Sequence, residues 1–197
     1  LLAAGEGSRL GRYPKALLKK DGQSLLQRFC SAIQLVDPIE VMVVTGFFSD
    51  KIHQQIQLIN QHSKIRIDWV QNPNPELGHA SSVRMGLEAL KSDFDVLLIA
   101  LSDQPNITHQ EVEILIEEFK RETQTQILLP MVHGQRGNPV LFSRAVIDEI
   151  LSIPNMVCRA YMDQHPEKIQ QLITENPAFL MDVDTPDDVE RLGLQRS

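Results

Sequence analysis

Strand-length apolar runs alternate with helix-period segments from one end of this chain to the other. Such alternation leaves few folds open and favours a mostly parallel sheet with helices on both faces. Residues 1–4 read as a short buried strand that enters a glycine-rich loop. Residues 24–35 place Leu25, Leu26, Phe29, Ala32 and Ile33 at helical spacing. Residues 40–45 and 64–71 read as strands, and Ser49 as the N-cap of a helix through about Asn60. Residues 80–90 are helical, and residues 95–101 form the most apolar strand, expected to be central and buried on both faces. Thr108 with Glu111 forms a capping box that opens a helix to about Thr123. Strands are expected at 126–131, 139–142 and 179–182, and helices at 144–151 and 154–164, the second with an irregular start. Thr185-Pro186-Asp187-Asp188 starts a last helix, with Thr as cap, Pro first and acids in the first turn.

No internal repeat, low-complexity tract or linker interrupts this pattern, so residues 1–197 read as one three-layer α/β/α domain. Ligands of such folds sit beyond the carboxyl ends of the strands. The first strand begins at Leu1, which is not Met, and this predicts residues upstream.

Composition narrows the ligand. Lys plus Arg is 19 and Asp plus Glu is 26, a net charge of −7. An acidic chain with no Lys/Arg run is poorly suited to a nucleic-acid backbone. One local basic loop still suffices for a phosphorylated small molecule. Cys30 and Cys158 make no disulfide framework and lack metal-site spacing. They point to a reducing compartment, and so to a cytoplasmic protein. No apolar run approaches the roughly 18 residues of a membrane span, and no signal peptide is expected.

The first loop reads Gly5-Glu6-Gly7-Ser8-Arg9-Leu10-Gly11-Arg12-Tyr13-Pro14-Lys15. Glycines let backbone N–H groups approach phosphate oxygens without interference from Cβ. A dinucleotide fingerprint requires its third glycine one residue earlier and an acid at the end of the second strand, where this chain has Thr45-Gly46. The G-x-x-x-x-G-K-[ST] pattern of a P-loop is absent. A triphosphate loop that adds the cations Arg9 and Lys15 to its backbone donors fits the spacing. A triphosphate carries more charge than a dinucleotide's pyrophosphate, which accounts for the added cations.

Leu-Ala-Ala-Gly-x-Gly-x-Arg-Leu-Gly-x-x-Pro-Lys resembles the signature of the GT-A-type (MobA-like) nucleotidyltransferases. These enzymes move a nucleoside monophosphate from an NTP to a phosphorylated acceptor. The resemblance implies that Gly5, Gly7, Arg9 and Lys15 wrap the triphosphate and that Ala3 and Ala4 lie beside the base.

Asp103 ends the most apolar strand, on the ligand edge of the sheet. A hard oxygen ligand beside a triphosphate loop suits Mg²⁺ (or Mn²⁺), although the same residue could cap a turn. If residues 179–182 are a strand, alternation places Asp182 and Asp184 on one face. Metal binding and helix capping both remain open for that pair.

Asp103-Gln104-Pro105 and the terminal Asp-x-Asp-Thr-Pro-x-Asp resemble the molybdenum cofactor cytidylyltransferase branch, and Ala-Ala-Gly rather than Ala-Gly-Gly favours cytidine. Residues 72–87 resemble that branch's Asn-Pro…Gly-x-x-x-Ser segment, which implies Gly78 and Ser82 near the nucleotide, with Ser81 a weaker choice. Residues 133–139 resemble its Gly-x-x-Gly-[His/Asn]-Pro segment, which implies that Arg136 and Asn138 contact the acceptor. The branch's Gly-Asp-x-Gly-Ala-Arg is replaced by Pro154-Asn155-Met156-Val157-Cys158-Arg159. Cys158 reads as packing. The resemblance implies CMP transfer from CTP to molybdenum-bound molybdopterin, a phosphorylated pterin. It also implies a molybdenum hydroxylase apo-enzyme as partner. Another phosphorylated acceptor, or a delivery module with little turnover, is the alternative.

Overall fold

The structure is a computed structural model that describes residues 1–121 and 124–196. Its strands are β1 (Leu2–Ala3), β2 (Lys19–Lys20), β3 (Gln23–Ser24), β4 (Val41–Thr45), β5 (Ile67–Gln71), β6 (Val96–Ile99), β7 (Ile127–Val132), β8 (Gln135–Arg136), β9 (Val140–Ser143) and β10 (Ile169–Thr174). Its helices are α1 (Leu25–Ile33), α2 (Ser49–Asn60), α3 (His79–Ala89), α4 (His109–Arg121), α5 (Arg144–Ser152), α6 (Cys158–Gln164) and α7 (Pro186–Arg191).

Every residue of β4 is buried, so that strand requires cover on both faces. It lies parallel between β1 and β5, with Leu2 opposite Val44 and Val43 opposite Trp69. β6 and β7 flank β9 antiparallel, and β10 runs parallel to β7. The two groups join where Leu2 N donates to Ala100 O at 2.9 Å and Ser102 N donates to Leu2 O at 3.0 Å. The sheet order is therefore β5-β4-β1-β6-β9-β7-β10. Successive strand residues face opposite ways. Val43 and Leu128 pack with α1, α2 and α4, whereas Val44, Ile127 and Leu129 pack with α3, α5 and α6. The three layers follow from that division.

Four expectations need correction. β6 is central in the sheet, yet its residues are only half-buried. β1 meets only its carboxyl end, and an apolar cavity of about 290 Å³ lined by Val41, Leu87, Val96, Leu98 and Phe119 adjoins the strand. Residues 179–182 form no strand. Asn176 accepts from Ala178 N at 3.0 Å and starts a 3₁₀ turn over Pro177–Phe179, after which the chain runs irregularly. β10 was not expected, because Gln170 and Gln171 obscure its apolar period. Ser49 does not cap α2. Phe48 holds that position, and Ser49 Oγ lies 2.8 Å from Thr45 Oγ1 in the interior. The end of α4 expected near Thr123 lies outside the described residues.

α7 starts as expected. Thr185 Oγ1 accepts from Asp188 N at 3.3 Å, while the Asp188 carboxylate accepts from Thr185 N at 2.9 Å and Asp184 N at 3.1 Å. The box therefore also fixes the backbone that carries Asp184. Replacing a Thr cap with Ala typically costs about 1 kcal/mol. Thr185→Ala is expected to lower the urea midpoint with an unchanged slope, as measured by circular dichroism. Among the described residues no helix is long and apolar enough to cross a membrane.

Candidate nucleotide site

β1 delivers the chain into the glycine loop. Gly7 has φ 62°, and a Cβ there would stand 2.0 Å from the Tyr13 carbonyl oxygen. Gly7 O accepts from Leu10 N at 2.9 Å and Arg12 N at 3.0 Å, which tightens the turn. Leu10 is buried in a small core of its own with Leu18, Leu25, Val183 and Leu194. Burying Leu10 fixes one side of the loop, and burying Val183 draws the segment before α7 against it.

This packing assembles the charged groups. Val183 N donates to Asp103 O at 3.0 Å, which sets residues 182–184 beside the end of β6. Lys15 Nζ donates to Asp103 Oδ2 at 2.9 Å and to Asp184 Oδ1 at 2.5 Å. Arg9 Nη1 donates to Asp184 Oδ2 at 3.0 Å. Burial opposes the Lys15 charge, but the field and hydrogen bonds of Asp103 and Asp184 outweigh it and hold its pKa above the ordinary value. For Asp182, partial desolvation and then the like charges of Asp103 and Asp184 raise the carboxyl pKa. Asp182 thus stands in the field of the other two carboxylates, although it is exposed and not in a strand.

Gly78 forms the opposite wall with φ 92° and ψ −176°, a backbone conformation open to glycine and strained for other residues. Buried Asn72 donates through Nδ2 to Ser81 Oγ at 2.8 Å and Ser82 Oγ at 3.0 Å. Ser81 Oγ donates in turn to Gly78 O at 2.8 Å. The serines are therefore oriented by Asn72, a role the sequence motif did not reveal.

A cleft of about 430 Å³ lies beyond the carboxyl ends of β1 and β6. Ala3, Ala4, Gly5, Gly7, Arg9, Lys15, Gly78, Ser82, Asp103 and Asp184 all line it. That volume falls within the usual range of about 300–1,000 Å³ for small-molecule sites. Phe47 and His79 also line it. Sequence reading passed over Phe47, whose only signal is an aromatic residue placed just past a buried strand. Burial lowers the pKa of His79, and the charge of Asp103 opposes that shift.

Asp182, Arg136 and Asn138 do not line this cleft. Arg136 Nη1 is instead paired with Asp163 Oδ1 at 2.5 Å. Asn138 precedes a cis bond to Pro139, and its backbone N donates to Phe179 O at 2.9 Å. Cys158 is buried, and desolvation pushes its thiol up to about 12, so at neutral pH it is no thiolate nucleophile.

A glycine loop with two cations, facing carboxylates at the ligand edge of an α/β sheet, is the equipment of a nucleotidyltransferase. The chain belongs to the MobA-like NTP transferase family, whose domain profile matches residues 1–169. It is 31% identical over 151 residues to a probable UDP-N-acetylglucosamine pyrophosphorylase of Acanthamoeba polyphaga mimivirus, covering 76% of this chain and 56% of that protein. The chain therefore spans little more than half the length of that relative. It is 27% identical over 191 residues to the molybdenum cofactor cytidylyltransferase of Escherichia coli K12, covering 95% and 91% of the two chains. Rv0371c from Mycobacterium tuberculosis H37Rv shares the fold, with a TM-score of 0.75, 23% identity and coverage of 97% and 94%. A manganese complex of Rv0371c aligns with a TM-score of 0.71, 20% identity and coverage of 97% and 94%.

Proposed function

We propose that this protein, acting as a single unit, transfers CMP from CTP to the terminal phosphate of molybdenum-bound molybdopterin and releases pyrophosphate. The observation that carries this reading is the Lys15 ammonium, held between Asp103 and Asp184 on the cleft that the glycine loop lines. The near full-length similarity to a molybdenum cofactor cytidylyltransferase supports the choice of acceptor. Ala4, in place of a second loop glycine, supports cytidine.

The donor set is compatible with a hard divalent cation. Two carboxylates already converge on one positive charge, and all their donors are oxygens. Among the described residues no three metal-binding side chains form a preformed cage. Mg²⁺ is commonly held by one or two carboxylates together with substrate phosphates. Asp103 and Asp184 would hold it, with Asp182 adjacent, and it would supply charge neutralisation at the phosphates.

The chain's own residues do the rest by position and charge. Backbone N–H groups of the Gly5–Gly7 turn and the Arg9 guanidinium bind the β- and γ-phosphates. Lys15 reaches the leaving pyrophosphate. Gly78, Ser82 and Ala3 hold base and ribose. The acceptor phosphate is already anionic near neutral pH, so no strong general base is required. Its oxygen attacks the α-phosphorus, forming one P–O bond as the bond to pyrophosphate breaks. Arg136 and Asn138 lie off the nucleotide cleft and serve the acceptor side. A molybdenum hydroxylase apo-enzyme is the receiver this reading implies.

The similarity to a probable UDP-N-acetylglucosamine pyrophosphorylase favours a second reading, with a sugar phosphate as acceptor. Pyrophosphate release separates the two readings. The protein is incubated with Mg²⁺, each NTP in turn, and either molybdopterin-type cofactor or N-acetylglucosamine 1-phosphate. The expected result is release with CTP that depends on the pterin cofactor. Release only with UTP and the sugar phosphate would replace the first reading by the second. No release under any condition would overturn both.

A further inference from the structure

Gln104 follows Asp103 and is buried, with 6% of its surface exposed. Its Nε2 donates to the Phe179 carbonyl at 3.1 Å. The same oxygen accepts from Asn138 N at 2.9 Å. One carbonyl thus joins three segments: the strand end with Asp103, the turn leading to Asp184, and the loop with Arg136 and Asn138. Gly137 closes against this node, where a Cβ would stand 2.9 Å from the Phe179 carbonyl oxygen.

Stability alone does not account for this amide. Gln104 Oε1 is buried without a hydrogen-bond partner among the described residues, and an unmet buried acceptor is a cost. A methionine of similar length would remove that cost. It would also leave the Phe179 carbonyl satisfied by Asn138 N. What it would remove is the side-chain link from the residue next to Asp103 to the Phe179 carbonyl, leaving only the contact of Asn106 Nδ2 with Met181 Sδ at 2.8 Å among the side-chain bonds described between these segments.

We propose that Gln104 is a positioning residue for nucleotidyl transfer. Through the Phe179 carbonyl it sets the Asp103 carboxylate in register with Asp184 and with the acceptor loop. This rests on the reading of Asp103 and Asp184 as metal-holding groups. Gln104 touches neither metal nor substrate and acts through the segments it ties together.

Manganese binding to the CTP-loaded protein, followed by electron paramagnetic resonance, tests the proposal. Wild type is measured first. If it binds no Mn²⁺ in the presence of CTP, the metal reading fails and takes this proposal with it. If it binds, Gln104→Met is expected to weaken Mn²⁺ affinity by about 10-fold, the low end of the loss when a direct partner of a metal ligand is removed, since Gln104 acts through the Phe179 carbonyl and not on a carboxylate. Metal-free CTP affinity and the melting temperature are expected to stay near wild type. Gly137→Ala pushes on the same carbonyl with Gln104 intact; because the clash is with backbone it is expected to lower the melting temperature, and to weaken Mn²⁺ binding by more than that fall accounts for. It decides the matter if Gln104→Met does not fold. Unchanged Mn²⁺ affinity in the folded variants, or a loss that only tracks a fall in melting temperature, would overturn the proposal while leaving the metal reading in place.

Discussion

Lys15→Met is expected to lower nucleotidyl transfer by about 10²–10³-fold, the usual effect of removing one preorganised charge-stabilising group, while the protein stays folded. The methionine keeps the aliphatic stem and loses only the ammonium. In wild type that ammonium lies 2.9 Å from Asp103 and 2.5 Å from Asp184, and its side chain is only 19% exposed. Its charge is therefore poorly screened and well placed to meet the charge that develops on a leaving pyrophosphate. Some stability is lost as well, because two neighbouring carboxylates are left without their shared counter-ion. Arg9 makes a useful comparison. It meets Asp184 at 3.0 Å, but its side chain is 70% exposed. Water and salt weaken its field, so Arg9→Met is expected to have the smaller effect. Pre-steady-state pyrophosphate release with a thermal melt on the same sample reads both quantities. Wild-type release by a folded Lys15→Met protein would remove Lys15 from the chemistry.

The parts of this site that were legible in the sequence are the local ones. The glycine loop, Asp103 at a strand end and the Thr185 cap each depend on neighbours within a few positions, and the conformational cost of a misplaced residue is local too. The pairing of Lys15 with Asp184 was not legible in that way, since it spans 169 residues. It follows from Val183, whose side chain joins the core under the loop and leaves the flanking aspartates at its edge. The expected strand there supplied a different reason for the same grouping, and that reason was wrong. The irregular turn begun by Asn176 and Pro177, rather than strand alternation, sets Asp182 and Asp184. The Ser82 hydroxyl reads as a ligand contact in sequence, yet Asn72 already donates to it. β10 was missed because a strand at the edge of a sheet tolerates the exposed Ile173 and the glutamines that blur its period.

Gly7→Ala is expected to damage both stability and nucleotide binding, and Gly5→Ala binding alone. At Gly7 the added methyl would stand 2.0 Å from the Tyr13 carbonyl oxygen, and backbone cannot swing aside as a side-chain tip can. The residue also sits at φ 62°, which costs an L-residue about 1–2 kcal/mol before any clash. Relieving the contact opens the turn that Leu10 N and Arg12 N close on Gly7 O. Leu10 and the small core beneath it then loosen, and Val183 and Asp184 belong to that structure. The expected loss is about 2–5 kcal/mol, the sum of the backbone strain and overpacking of about 1–3 kcal/mol. CTP affinity falls with it, because the backbone donors and Lys15 no longer face one point. Gly5 has no neighbour within 4 Å of a built Cβ and lines the same cleft. A methyl there meets nothing in the protein itself, so the melting temperature stays near wild type. Any loss of CTP affinity in Gly5→Ala then reports a phosphate or sugar occupying that space. A Gly7→Ala protein that melts with wild type would mean the loop is not held by the contact that makes glycine necessary. A Gly5→Ala protein that binds CTP as wild type does would move the triphosphate away from the loop's first turn.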